Sequence, residues 1–193
     1  MTTLLNHILT AQHGRRIAVV KIEFKVVDID GSLVTSHSSS NEDIVMVNNG
    51  CLFCTARGGD WGNMLRKLSW EERSKFDYII IETTGLFSSF DAFYALSGHC
   101  FENIKLDGFV HLVDSKHAMN ECVEQNTRED RIYTREDCIR EDRIRADRII
   151  LNKIDLVTEA ELQELTQKIR HENKTAMIKH ARYGDVDVDF VLE

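Results

Sequence analysis

Short apolar runs that end on polar residues alternate along this chain with stretches of helical periodicity. The runs cover residues 16–24, 43–47, 77–85, 108–114 and 148–151, are rich in β-branched side chains, and predict strands. Residues 61–68, 90–96 and 115–125 read as helices, and residues 2–9 as an amphipathic helix closed by Gly14. Thr158-Glu-Ala-Glu161 is a capping box opening a helix with Leu162, Leu165 and Ile169 on one face. Residues 176–180 then suit an edge strand, and residues 185–193 form a tail too short to fold alone. Two stretches read as irregular, a Ser-, Gly- and Asp-rich loop or weak hairpin at 28–41 and a turn carrying two thiols at 48–55. Strands alternating with helices predict a doubly wound α/β fold with a mostly parallel sheet, whose ligands bind beyond the carboxyl ends of the strands.

One stretch breaks the pattern. Arg-Glu-Asp-Arg-Ile recurs with small changes at 128–132, 135–139, 140–144 and 145–149. Its isoleucines, mostly five apart, walk around a 3.6-residue helix instead of forming a stripe, so the segment is not expected to bury one face. Glu136 with Arg140 and Glu141 with Arg145 have the spacing for i,i+4 pairs, each worth a few tenths of a kcal/mol. The reading is an insertion over 126–147, either an exposed helix or disordered, in an otherwise single domain spanning 1–193.

Composition narrows the function classes. A chain of 193 residues, 42% hydrophobic and 29% charged, is an ordinary soluble globular domain. Its formal charge of -8 and the lack of a basic face argue against nucleic acid or an anionic membrane as partner. No run is long enough to span a bilayer, and the N-terminus lacks a signal-peptide pattern. Five cysteines, an odd number, fit a reducing compartment, so the expectation is a cytoplasmic protein.

The chemistry concentrates where strands end. The run at 148–151 stops on Asn152-Lys153-Ile154-Asp155, the tetrad with which guanine-nucleotide proteins read their base. The Asp155 carboxylate can accept from both guanine N1–H and the exocyclic amine, whereas adenine offers no such pair of donors. Asn152 would tie the loop together and the Lys153 stem would lie over the flat base; a plain polar strand-to-helix turn has the same residue types. Glu82-Thr-Thr-Gly85 is the order expected where a strand delivers a carboxylate and a backbone amide to a phosphate and its metal ion, and equally that of a strand closing in a tight glycine turn. Cys51-x-x-Cys54 is a redox pair, half a metal site, or two packed thiols.

Taken together, these motifs resemble the CobW-like metallochaperone GTPases. The segments that carry the resemblance are Thr2-Thr3-Leu4-Leu5-Asn6, Glu23-Phe24, Asn49-Gly50-Cys51 with Cys54-Thr55, Glu82-Thr83-Thr84-Gly85-Leu86, Val113-Asp114 and Asn152-Lys153-Ile154-Asp155. They occur in the family's order and span essentially the whole chain outside the repeat. The resemblance implies a P-loop GTPase fold that couples GTP binding and hydrolysis to handing zinc, or a related metal, to a client protein. It implies Glu82 as the catalytic carboxylate, and Thr2, Thr3, Gly85, Asn152, Lys153 and Asp155 at the nucleotide. It also implies Thr2 as a Mg²⁺ ligand, and Cys51, Cys54 and Glu23 as zinc ligands.

The chain also departs from that pattern. Met1 stands where the family has its P-loop lysine, and the expectation is a domain lacking the glycine-rich loop, the first strand and the family's C-terminal domain. Phe53 replaces the family's middle cysteine, while Ile22 and Lys25 replace the Asn and Gly on either side of Glu23-Phe24. Two readings follow, a GTPase metallochaperone or a non-catalytic remnant that only binds.

Overall fold

The computed structural model describes residues 3–23, 44–46, 52–57, 61–70, 75–83, 103–124 and 135–192, with backbone only for Ile22, Glu23, 44–46, 52–57, 61–64, 120–124 and 135–138. The readings made for residues 28–41, 48–51 and 90–96 fall outside them. In chain order the elements are α1 (Thr3–Thr10), β1 (Ile17–Glu23), β2 (Ile44–Met46), β3 (Leu52–Arg57), α2 (Trp61–Trp70), β4 (Tyr78–Thr83), β5 (Val110–Asp114), α3 (Ser115–Glu124), α4 (Arg135–Arg145), β6 (Arg148–Asn152), α5 (Glu159–Glu172), β7 (Met177–His180) and α6 (Val188–Leu192). The fold is α/β with mostly parallel pairing, as the alternation of runs and periodic stretches requires. Among the described residues no helix is long and apolar enough to cross a membrane.

The chain divides into two compact units, one of residues 12–87 and 92–105, the other of residues 1–11, 88–91 and 106–193. The first holds a four-stranded sheet in the order β2-β3-β1-β4. β1 is parallel to both neighbours, and β2 alone runs antiparallel, against β3. Ala18, Val20, Leu65, Leu68 and Phe76 form its core, which needs α2 to cover the sheet face that carries Ala18 and Val20. The two-thiol turn expected at 48–55 is a strand from Leu52 onward, with Cys54 in register with Val20. The pairing available along β1 overrides the turn signal of the Asn and Gly residues before it.

The second unit holds the sheet β5-β6-β7, parallel throughout, with β7 as the edge strand its sequence suggested. β6 is buried at every position, and Ile149 and Leu151 pack with Val113, Ala118, Leu162, Leu165 and Ile169. α5 starts at the predicted box: Thr158 accepts from the Glu161 amide, and Glu161 accepts from the Thr158 amide at 2.7 Å. Even the short tail folds, as α6, because Val188 and Leu192 are buried.

The repeat behaves differently from its periodicity. Residues 135–145 are helical, and although Ile144 is 45% exposed, Arg143 is buried. Its Nε lies 2.8 Å from Glu172 Oε2 as an ion pair. The Asn173 side chain, also buried, points its amide nitrogen at the carbonyls of Arg143 and Ile144 in the last turn of α4 and of Ala146 just beyond it, at 2.8–3.0 Å, sharing its two hydrogens among acceptors the helix end leaves open. Its oxygen accepts from the Thr175 and Ala176 amides. The segment is therefore held through charge and amide groups, which a count of apolar spacing does not register.

Candidate nucleotide site

In a parallel sheet every strand presents its carboxyl end on the same edge, and in the β5-β6-β7 sheet that edge carries Asp114 and Asn152 side by side in register. Asn152 is buried, and its Oδ1 accepts from the Gly184 amide at 3.0 Å. A buried amide oxygen without such a donor would cost about 1–3 kcal/mol, so this bond holds the loop after β7 to the end of β6. Gly184 has φ +73°, and a Cβ there would lie 2.4 Å from the Leu4 nitrogen and 2.7 Å from the Thr3 carbonyl carbon. Glycine is required on both counts: left-handed backbone, and direct approach of the first turn of α1. Thr3, Gly184 and Asn152 are thus brought into one contiguous chain of contacts.

Lys153 follows in the left-handed region at φ 61° and ψ 36°, which turns the backbone sharply out of the strand and into a single 3-10 turn, Ile154–Leu156. The Lys153 ammonium reaches the Asp114 carboxylate at 2.5 Å, and the other Asp114 oxygen accepts from the His117 amide at 3.2 Å in the first turn of α3. Partial burial pushes the Asp114 carboxyl up, but the bonds from Lys153 and from the α3 amides outweigh it, and it sits below the ordinary carboxylate range. Asp155 is exposed and makes no hydrogen bond or ion pair to another described residue. A charged acceptor held on a structured turn with no partner of its own is chemically able to take a pair of N–H donors from a ligand.

Glu82 stands at the end of β4 in the other unit, in register with Lys21 of β1. Its side chain is half-buried, and Oε2 is shielded from solvent with no hydrogen-bond partner among the described residues. A carboxylate oxygen in that state is unusual, and a hydrated cation or a water would satisfy it. Glu23 ends β1 and Cys54 lies within β3, but their side chains are outside the described set, as are Thr2, Cys51 and Gly85 altogether. Among the described residues no three His, Cys, Asp or Glu side chains converge as a metal-binding group. Sequence reasoning had not assigned Gly184 a role, although Tyr-Gly just past a strand is a turn signal, and it had quoted Asp114 without the lysine contact.

Polar side chains at the carboxyl ends of parallel strands stand where open α/β sheets bind their ligands. The chain matches the family described as "CobW/HypB/UreG, nucleotide-binding domain" over residues 1–179 and belongs to it. It is 32% identical to the zinc chaperone YjiA of Escherichia coli K12, in an alignment covering 99% of this chain and 56% of that protein. It is 31% identical to zinc-regulated GTPase metalloprotein activator 1 of Schizosaccharomyces pombe, over 96% of this chain and 44% of that protein. The crystal structure of Zn(II)-bound YjiA GTPase superposes with a TM-score of 0.65 at 29% identity, over 97% of this chain and 55% of that one. The chain therefore spans about half the length of these relatives.

Proposed function

We propose that this chain is the guanine-nucleotide-binding part of a metallochaperone that couples GTP binding and hydrolysis to delivery of zinc, or a related metal, to a client protein. The observation that carries the reading is the loop after β6, where Asn152 is tied to Gly184, Lys153 is turned out of the strand, and the exposed Asp155 carboxylate has no partner among the described residues. The names of the relatives, a zinc chaperone and a zinc-regulated GTPase metalloprotein activator, support the same assignment.

In this mechanism Asp155 accepts from guanine N1–H and the exocyclic amine, and the Lys153 stem lies along the base. Thr2, Thr3 and Gly85 serve the phosphates, with Mg²⁺ at the Thr2 hydroxyl supplying charge neutralisation when bound. Glu82 orients the water whose oxygen bonds to the γ-phosphorus as the bond to the β-γ bridging oxygen breaks, giving GDP and phosphate. Its buried, partnerless Oε2 supports that role. Zinc is the cargo, taken by Cys51, Cys54 and Glu23; with Phe53 between the cysteines the grip has two thiolates where the related pattern has three.

Calorimetry with GTP and xanthosine triphosphate tests the base reading. Asp155→Asn should move the preference from guanine to xanthine by at least tenfold, because an amide donates to the xanthine carbonyl where a carboxylate repels it. An unchanged preference would sink it. For the cargo site, competition against a chromogenic chelator should rank Phe53→Cys well above the unaltered chain and Cys51→Ser below it, by about 10²-fold or more per thiolate. Equal zinc affinity in all three would leave Cys51 and Cys54 as packed thiols.

A further inference from the structure

The long side chain of Lys153 is pinned at both ends, and its partner Asp114 is pinned independently. At the root, the left-handed backbone at φ 61° and ψ 36° fixes the direction in which the stem leaves the chain. At the tip, the ammonium meets Asp114 Oδ2 at 2.5 Å. Asp114 cannot follow a wandering lysine, because its other oxygen accepts from the His117 amide at 3.2 Å and its backbone is locked in register with Asn152. Half of the Lys153 side chain is nonetheless open to solvent, against 37% for Asp114. The pair thus forms a fixed apolar stem with one face free, beside the strand end that carries Asn152.

An exposed lysine–carboxylate pair contributes little stability in most proteins, since holding two flexible side chains together costs about as much as the attraction returns. Here the carboxylate is already held by α3, so only the lysine has freedom left to lose. A stem ordered before a ligand arrives spares that ligand the ordering cost. We propose that Asp114 is a positioning residue for nucleotide binding: anchored by α3, it draws the Lys153 ammonium aside and lays the stem out as a preformed rail for the flat face of the base. This deepens the guanine-nucleotide reading above and rests on it. Asp114 touches no part of the base, so its effect is the same for any purine that Lys153 covers, unlike that of Asp155, which reads the identity of the base edge.

The test uses Asp114→Asn, since asparagine still caps α3 but no longer holds a cation. Two readouts are needed on the intact chain. The first is NMR relaxation of the Lys153 ε-methylene in ¹³C-lysine-labelled protein without nucleotide: ordered in the unaltered chain, averaged in Asp114→Asn. The second is calorimetry with GDP and with xanthosine diphosphate, GDP in the unaltered background and xanthosine diphosphate in Asp155→Asn. Adding Asp114→Asn should weaken both by the same factor, about tenfold, and should have no effect once Lys153→Met has removed the ammonium. A variant that melts earlier but binds GDP as tightly as the unaltered chain would make Asp114 a structural cap only, overturning the proposal. An averaged Lys153 methylene in the unaltered chain would overturn it as well, whatever the nucleotide does. Failure of the unaltered chain to bind GDP with Lys153 ordered would instead overturn the nucleotide reading and leave the rail with no base to carry.

Discussion

β4 and β6 are nearly the same strand in sequence, Tyr-Ile-Ile-Ile-Glu-Thr against Arg-Ile-Ile-Leu-Asn, and the fold treats them differently. β6 lies between β5 and β7 and is buried at all five positions, while β4 closes its sheet beside β1 and is half-buried at all six. The polar groups they deliver differ in the same sense. Asn152 has its donor in Gly184, whereas Glu82 Oε2 has none among the described residues. A run of isoleucines therefore declares a strand without declaring its place in a sheet. Place decides whether the terminal polar group acts as a structural tie or is left available to a ligand.

The largest test of that difference is a pair of cavities. Ile150→Ala, at a side chain with no exposure, should cost about 3–4 kcal/mol, and Ile80→Ala on β4 about half as much. Native-state hydrogen exchange reads the two sheets separately, and equal losses would remove the distinction between them.

Acid should separate the sheets next. His111, on β5 in register with Ile149, is driven down from 6.5 to about 4, chiefly by burial, then by the Arg143 charge, with Asp142 opposing. A histidine kept neutral in the fold binds its proton more tightly when unfolded. Its contribution is therefore complete above pH 6.5 and is lost as pH falls from there to about 4, roughly 3 kcal/mol at most. In the other sheet's unit, the Arg16 hydrogen bonds hold the Asp77 carboxyl below its ordinary range, so what that exposed pair contributes goes only at lower pH. Between pH 6.5 and 4, exchange should quicken in β5 and β6 before β4, and His111→Phe should flatten the dependence.

The smallest effect is the most diagnostic for Glu82. Glu82→Gln should change stability by less than about 1 kcal/mol, since no described group relies on the buried oxygen, while single-turnover GTP hydrolysis falls. A stability loss above about 2 kcal/mol in urea unfolding would show a structural carboxylate instead.

How much of this was legible beforehand depends on the distance over which each feature is decided. The box Thr158–Glu161 closes within four residues, and its reading survives in full detail. The stripe Leu162, Leu165, Ile169 also survives, as three buried side chains of α5. The tetrad at Asn152 to Asp155 was readable for the same reason: a strand end and a turn are properties of adjacent residues. Of the two readings of the repeat, residues 135–145 take the helical one, with Ile144 exposed, and the burial of Arg143 is what hydrophobic spacing does not register. Arg143 is paired in charge with Glu172, and the carbonyls of Arg143, Ile144 and Ala146 accept from Asn173, 27 to 30 residues further on.

The sequence by itself determined where most of the described strands and helices of this protein lie and which polar residues stand at the ends of β4, β5 and β6, because propensity, capping and alternation act over a few neighbours. Tertiary structure alone decided that β4 borders its sheet and β6 does not, and that Gly184 must admit the backbone of Thr3 and Leu4. It also decided that Lys153 finds Asp114 across 39 residues. Each of these depends on which distant segment arrives alongside, and local pattern carries no record of that.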